Sequence, residues 1–369
     1  MERSKYLKII SFFLFLNFTC FAQTPIFTSG TEGYKSFRIP AIVTAKNGCL
    51  IAFAEGRVNN ARDFGNIDLV MRKSCDKGKT WSKLKIVVDN DDLQVSNNAP
   101  VFDFLDPEYP EGRLFLFYNA GNNHENEVRK GHGKREVFYV TSIDNGDTWS
   151  PPLDITSQTH RPSEWRSYAN TPGHALQLTK GSKKGRLFVP ANHSEGEPLE
   201  HFEDYHAHAF YSDDHGKTFK LSESLELKGS NEATAAELSN NRLMLNTRNQ
   251  KGDIKQRIVA ISDNNGETWT SEKFNEKLID PVCEGSLLNI GGKKLAFTNA
   301  ADINKRNNLT LRISKNEGKT WPKSVLIDAN DGKGDFTAYS DIVKIGKRKI
   351  GVLYERDNYK EIVFKIVKW

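Results

Sequence analysis

Cysteine is scarce in this 369-residue chain, with four in all, at positions 20, 49, 75 and 283. Cys20 falls in an N-terminal segment set aside below. The remaining three are too few, and odd in number, for a disulfide framework, so the fold leans on its core. Cys49 and Cys75 can pair if their strands are neighbours, but nothing in the sequence requires it. An excess of one charge is equally lacking. The formal net charge is +5, and +3 once the leader's Glu2, Arg3, Lys5 and Lys8 are removed. No basic run is interleaved with aromatics, which excludes a nucleic-acid footprint. HExxH, paired CxxC, a phosphate-cradling Gly-rich loop and GxSxG are all absent, so zinc, P-loop and hydrolase-elbow chemistry find no support. The nine histidines are scattered. In "HFEDYHAHAF", His206 and His208 alternate on one strand face, where a structural role is favoured over a metal site.

What is present begins with a leader. "MERSKYLK" is basic, "IISFFLFL" is an apolar run too short to span a membrane comfortably, and "CFAQ" offers small residues before a cut between Ala22 and Gln23. The expectation is a signal peptide over 1–22 and one mature domain over 23–369, exported to the periplasm or beyond, with no transmembrane segment in the mature chain. Lipid anchoring through Cys20 is the alternative, although "NFTC" is a poor lipobox.

One octet recurs five times: "SCDKGKTW" from Ser74, "SIDNGDTW" from Ser142, "SDDHGKTF" from Ser212, "SDNNGETW" from Ser262 and "SKNEGKTW" from Ser314. Asp76, Asp144, Asp214, Asn264 and Asn316 can bond their own backbone in a turn, and the glycine that follows supplies a positive φ. The terminal aromatic then anchors the turn on the sheet. Starts 50 to 70 residues apart suit four-stranded blades of a propeller. Three more strand-like runs follow the last octet, and a strand near "PIFTSG" can close the ring and hide its edges. The expected fold is therefore all-β, a six-bladed β-propeller with these octets as structural turns. A calcium role for their acidic positions is weak, because no full twelve-residue ligand loop appears.

"SFRIPAIVTAKNGCLIAFAEGR" reads as a hairpin about Asn47-Gly48, yet its apolar first run accepts Arg38. Arg248 ends the run "NRLMLNTRN", and Arg306 stands just before "LTLRIS". Singly, each arginine reads as a snorkelling side chain. A propeller, however, brings strands of different blades to one central mouth. Three guanidiniums gathered there make a site for one carboxylate.

"FRIP", the repeated Asp-boxes, "NEATAAEL" ahead of Arg248 and "FTAYSD" together resemble the exo-α-sialidases (neuraminidases) of bacterial and animal type, over essentially the whole mature chain. The resemblance implies that Arg38, Arg248 and Arg306 bind a sialic acid carboxylate, with Arg312 as the competing third arginine. It further implies Asp63 as acid/base, Glu232 and Tyr339 as the activating base and nucleophile, and Glu355 as a brace for the first arginine. Asp68 and Glu237 are the near-miss carboxylates, read as structural. Asn98 and the segment around Trp165 are candidates for the N-acetyl and glycerol groups.

The chemistry has its own logic. An anionic nucleophile would approach beside the substrate's carboxylate, and a neutral phenol avoids that repulsion, the exception that sialidases make to the two-carboxylate rule. A free phenol near pKa ~10 needs a base beside it. The expected partners are sialylated glycoconjugates, with no metal and no organic cofactor. Sialic acid transfer, release of an anhydro product, or a glycan-binding propeller without catalysis are the alternatives. Linkage preference and oligomeric state are not legible.

Overall fold

The computed structural model describes residues 23–332 and 334–369. The expected leader and Cys20 lie outside the described residues. The chain opens with β1 (Thr24–Thr28). Eight strands follow: β2 (Ser36–Thr44), β3 (Leu50–Arg57), β4 (Ile67–Ser74), β5 (Lys85–Val88), β6 (Gln94–Asp103), β7 (Arg113–Gly121), β8 (Arg135–Ser142) and β9 (Leu153–Asp154). The short helix α1 (Glu125–Arg129) sits between β7 and β8. The next sheet takes β10 (Trp165–Asn170), β11 (Leu176–Gln177), β12 (Leu187–Glu195), β13 (Tyr205–Ser212) and β14 (Lys220–Leu221). After it come β15 (Ser230–Glu237), β16 (Leu243–Asn249), β17 (Gln256–Ser262) and β18 (Ser271–Ile279). A further sheet holds β19 (Gly285–Gly291), β20 (Lys294–Ala300), β21 (Leu309–Ser314) and β22 (Lys323–Asp328). The last holds β23 (Thr337–Gly346), β24 (Lys349–Arg356) and β25 (Glu361–Lys368), with β1 added beside β25.

The fold is an all-β propeller, but the expectation of six blades is corrected. The hydrogen-bonded strands form four separate blades of four or five strands, and β2 to β9 run as one continuous eight-stranded sheet. The cause is local. β5 is only four residues long and pairs with the middle of β4, leaving the start of β4 free. There Ile67 pairs in parallel with Gln94 at the start of β6, fusing what the repeat spacing reads as two units.

The octets behave as turns. In the first, Gly78 N donates to Ser74 Oγ (2.8 Å) and Thr80 Oγ1 to Asp76 Oδ2 (2.6 Å). The same Ser–Gly bond closes the other four, at 2.8 Å each. The hairpin about Gly48 (φ 85°) forms as expected, and Leu50 pairs with Ser74, which sets Cys49 and Cys75 side by side in a disulfide. No helix among the described residues is long and apolar enough to cross a membrane.

Candidate active site

The inner strands carry register irregularities near the same end of the propeller. β2 slips between Arg38 and Ala41, β6 between Ser96 and Ala99, β15 between Ser230 and Ala233, and β23 between Thr337 and Ser340. Such bulges re-aim a side chain. At the first, Ile39 takes a φ of 58°, a conformation strained for a β-branched residue. These bends direct Arg38, Asn97, Glu232 and Tyr339 into one cavity of about 270 Å³, which Asp63, Arg248 and Arg306 also line.

Tyr339 and Glu232 form a close pair. The phenol Oη donates to Glu232, lying 2.6 Å from Oε1 and 2.8 Å from Oε2. Arg248 Nη1 donates to both partners, at 2.7 Å to Glu232 Oε2 and 2.9 Å to the Tyr339 oxygen. Burial, and then the Glu232 charge, push the Tyr339 phenol well above its ordinary range, against the pull of Arg248 and Arg306. The phenol is thus protonated at rest, with a carboxylate in place to accept that proton.

Glu355 braces the floor. It is wholly buried and accepts from Arg38 Nε (2.6 Å), Ile39 N (2.9 Å) and Tyr339 N (3.2 Å). Burial works against the Arg38 charge, but Glu355 outweighs it and raises the guanidinium's pKa. Arg38 lies 4.1 Å from the Tyr359 ring centroid, and its two terminal nitrogens have no hydrogen-bond partner among the described residues. Arg306 donates to Tyr359 Oη (3.2 Å) and Val282 O (3.1 Å) and lies over the Tyr339 ring. Three cations therefore face one cavity, held by neighbours and with donors to spare, an arrangement suited to a carboxylate ligand.

Asp63 stands at the mouth, on the loop between β3 and β4, with its side chain 74% exposed. Partial desolvation by the cavity walls opposes its ionisation. The cations Arg57, bonded to it at 2.8 Å, and then Arg38 outweigh that and hold the carboxyl below its ordinary range.

The competing residues fall elsewhere. Asp68 is buried in β4 and accepts from Tyr34 Oη (2.6 Å). Glu237 accepts from the backbone of Thr179 and Lys180 in a larger, more apolar cleft that holds none of the three arginines. Arg312 is buried against Asn299 Oδ1 (2.9 Å) and lies outside the cavity. Two further candidates are not brought to the site. Asn98 is fully buried behind it, while its neighbour Asn97 lines the wall. Trp165 is buried in a stack on His193, with ring centroids 3.7 Å apart.

Sequence reasoning missed Arg57, Arg135, Glu125 and Tyr205, which also line the cavity. Arg57 had a visible signal, since it ends the quoted hairpin; it donates to Glu55 Oε2 (2.6 Å) as well as to Asp63. Glu125 and Tyr205 meet at 2.5 Å from segments 80 residues apart, a contact no local pattern announces.

Residues 48–352 match the BNR repeat-like domain. The chain is 32% identical to an exo-alpha-sialidase of Arthroderma benhamiae, over 89% of this chain and 80% of that one. It is 28% identical to a sialidase of Micromonospora viridifaciens, covering 91% of this chain and 52% of the relative, and so spans about half of that relative's length. The solved Hadza microbial sialidase Hz136 superposes with a TM-score of 0.79 at 25% identity, over 94% of this chain and 68% of that one. With the repeat family matched across most of its length and a relative above 30% identity covered for four-fifths, this chain belongs to the sialidase family.

Proposed function

We propose that this protein is an exo-α-sialidase that hydrolyses terminal sialic acids from glycoconjugates with retention of configuration. The observation that carries the reading is the Tyr339–Glu232 pair at 2.6 Å beneath three convergent arginines. Arg38, Arg248 and Arg306 bind the substrate carboxylate and fix the ring over Tyr339. The Tyr339 oxygen attacks the anomeric carbon as its proton passes to Glu232. Asp63 gives its proton to the leaving glycosidic oxygen, and the aglycone departs. Asp63 then takes a proton from water, which attacks the same carbon. The tyrosyl oxygen leaves and regains its proton from Glu232. Two inversions give net retention. Asp63 must be protonated for the first step, and the incoming carboxylate favours this by offsetting the positive field that lowers its pKa.

The Cys49–Cys75 disulfide suits an oxidising compartment, which supports export of a mature chain from residue 23.

Release of free sialic acid from sialyllactose by residues 23–369, beside Tyr339→Phe, tests the function. Wild type is expected to release sialic acid of retained anomeric configuration, and the variant to lose normal turnover with its fold intact. Wild-type rates from Tyr339→Phe would remove the residue from the nucleophile's role. Binding without release by the wild type would make the propeller a glycan-binding module instead, and an anhydro or transferred product would identify the other two chemistries.

A further inference from the structure

Arg135 is an anomaly within the cavity wall. The residue is buried, with 7% of it exposed, yet no carboxylate is paired with it within ion-pair distance among the described residues. A buried guanidinium without a counter-charge is costly unless it is held by hydrogen bonds and serves some end. Its partner is the side chain of Gln94. The Gln94 amide satisfies its surroundings in one orientation, assigned from the hydrogen-bond network. Its oxygen then accepts from Arg135 at 2.6 Å (Nη1), 3.2 Å (Nη2) and 3.3 Å (Nε), and its nitrogen donates to the backbone carbonyl of Asp63 at 2.8 Å.

The sheet is built to allow this. Gln94, Gly121 and Arg135 are directly opposed across β6, β7 and β8. With no side chain on the middle strand, Arg135 can lie across it to reach Gln94. A Cβ at Gly121 would come 2.8 Å from the Gln94 amide atom that faces Arg135, its oxygen in this orientation, 2.9 Å from Arg135 Cδ and 3.0 Å from its Nε. Gln94 is also the residue whose parallel pairing with Ile67 fuses β4 to β6. Ile67 begins the strand that follows the Asp63 loop. The same residue thus pins the loop's downstream end by backbone and its catalytic residue by side chain.

From these contacts we infer that Gln94 and Arg135 are positioning residues for Asp63, with Gly121 as the gap that lets them meet, and that the fused eight-stranded sheet exists at this point to hold the acid/base loop in register. The inference rests on Asp63 being the acid/base of the proposed reaction. Neither residue touches the reacting atoms; both act through the placement of Asp63. Desolvation raises the Asp63 carboxyl, and the Arg135 charge joins the larger effects of Arg57 and Arg38 that lower it.

A purely structural role would lower activity on every substrate alike. A role through the general acid depends on the leaving group. A lactose alkoxide needs its proton supplied, whereas an aryl oxide leaves readily without one. The test compares kcat/KM on 3'-sialyllactose and on 4-methylumbelliferyl sialoside for Gln94→Leu, Arg135→Met and Gly121→Ala. Gly121→Ala keeps both polar groups and only crowds them, so it covers the case in which Gln94→Leu fails to fold. Each is expected to lose roughly ten- to hundredfold on sialyllactose, the scale of a small misplacement of a catalytic group, and less than about threefold on the aryl sialoside. Equal losses on both substrates, or none on either, would overturn the positioning role. Asp63→Asn is run alongside. If it shows the leaving-group split and the three variants do not, the positioning role alone falls. If Asp63→Asn loses both substrates alike, the acid/base reading falls and takes this inference with it.

Discussion

Arg306 and Arg312 differ in what each touches. Arg306 faces the cavity and lies over Tyr339, whereas Arg312 points its guanidinium into the sheet at Asn299. Burial alone lowers the Arg312 pKa, as expected of a cation with neutral company. Arg306→Ala should therefore raise KM for sialyllactose by an amount corresponding to about 2–5 kcal/mol, the usual loss when one partner of a charge-paired contact is removed. Arg312→Ala should leave KM within about twofold and instead lower the unfolding free energy by roughly 1–3 kcal/mol, because Asn299 loses a buried partner. Steady-state kinetics with denaturation of both variants checks this, and a KM change confined to Arg312→Ala would reverse the assignment. Histidine gives a second residue-scale prediction. Burial pushes His160 down to about 4, and burial with the nearby His160 charge pushes His208 down to about 3. Unfolded, each takes its proton near pH ~6.5. Between that value and about 4 the unfolded chain binds more protons than the fold, so stability is fully present above about 6.5 and falls as pH drops through this window. Melting temperature should decline from pH 7 to pH 5, with a shallower decline in His160→Phe. An unchanged slope in that variant would remove His160 as a contributor.

Among the elements, the recurring octets join neighbouring sheets as well as turning the chain. Four of the octet glycines rest on a side chain of a neighbouring sheet, and Gly146 rests on Met71 within the fused eight-stranded sheet. A Cβ at Gly78 would meet Phe364, at Gly146 Met71, at Gly216 Phe115, at Gly266 Phe188 and at Gly318 Met244, all at 2.2 to 2.8 Å. The glycine is needed for its positive φ and also for this close approach. Gly266→Ala, with φ 86° and a contact of 2.3 Å to Phe188, should destabilise by about 1–3 kcal/mol from overpacking, with a further cost from the strained φ. A shifted denaturation midpoint with unchanged KM is expected, and an unshifted midpoint would reduce the octet glycine to an ordinary turn residue. These octets were legible because an Asp–Gly turn is local chemistry: Ser, Asp, Gly and Thr within eight residues close their own hydrogen bonds. The bulges that aim Arg38, Glu232 and Tyr339 were not, since a register slip depends on which partner strand meets which residue. The site was readable through family resemblance and the order of its charged residues, whereas the Gln94–Gly121–Arg135 row, local to no stretch of sequence, was not. Blade count failed for the same reason. Repeat spacing reports turns, but a single Ile67–Gln94 pair decides whether two units share a sheet.

For the molecule as a whole, the ring depends on one strand from the far end of the chain. β1 lies on the outer side of β25, in the order β1-β25-β24-β23, so the first described strand completes the sheet built by the last three. Its hold is partly backbone pairing, from Thr24 opposite Phe364 to Thr28 opposite Glu361. It is partly burial, since Phe27 is 0% exposed and packs 5.4 Å from Phe37 of β2. Gln23 adds bonds to Asp328 (2.7 Å) and Tyr354 Oη (2.8 Å). Phe37 directly precedes Arg38, so the closure also packs behind the first of the three arginines that line the cavity. Phe27→Ala should cost about 3–5 kcal/mol, the usual range for a buried phenylalanine, and should loosen the Arg38 end of the site before the rest. The expected signature is a lower urea midpoint together with a raised KM and a smaller change in kcat at temperatures below the transition. A chain starting at residue 30 removes the strand entirely and exposes the β25 edge to pairing with other copies, so it should associate or precipitate where residues 23–369 do not. Size-exclusion chromatography with light scattering on the two chains separates the outcomes. A monodisperse, fully stable chain from residue 30 would show that the propeller closes without β1 and that its last sheet tolerates a bare edge.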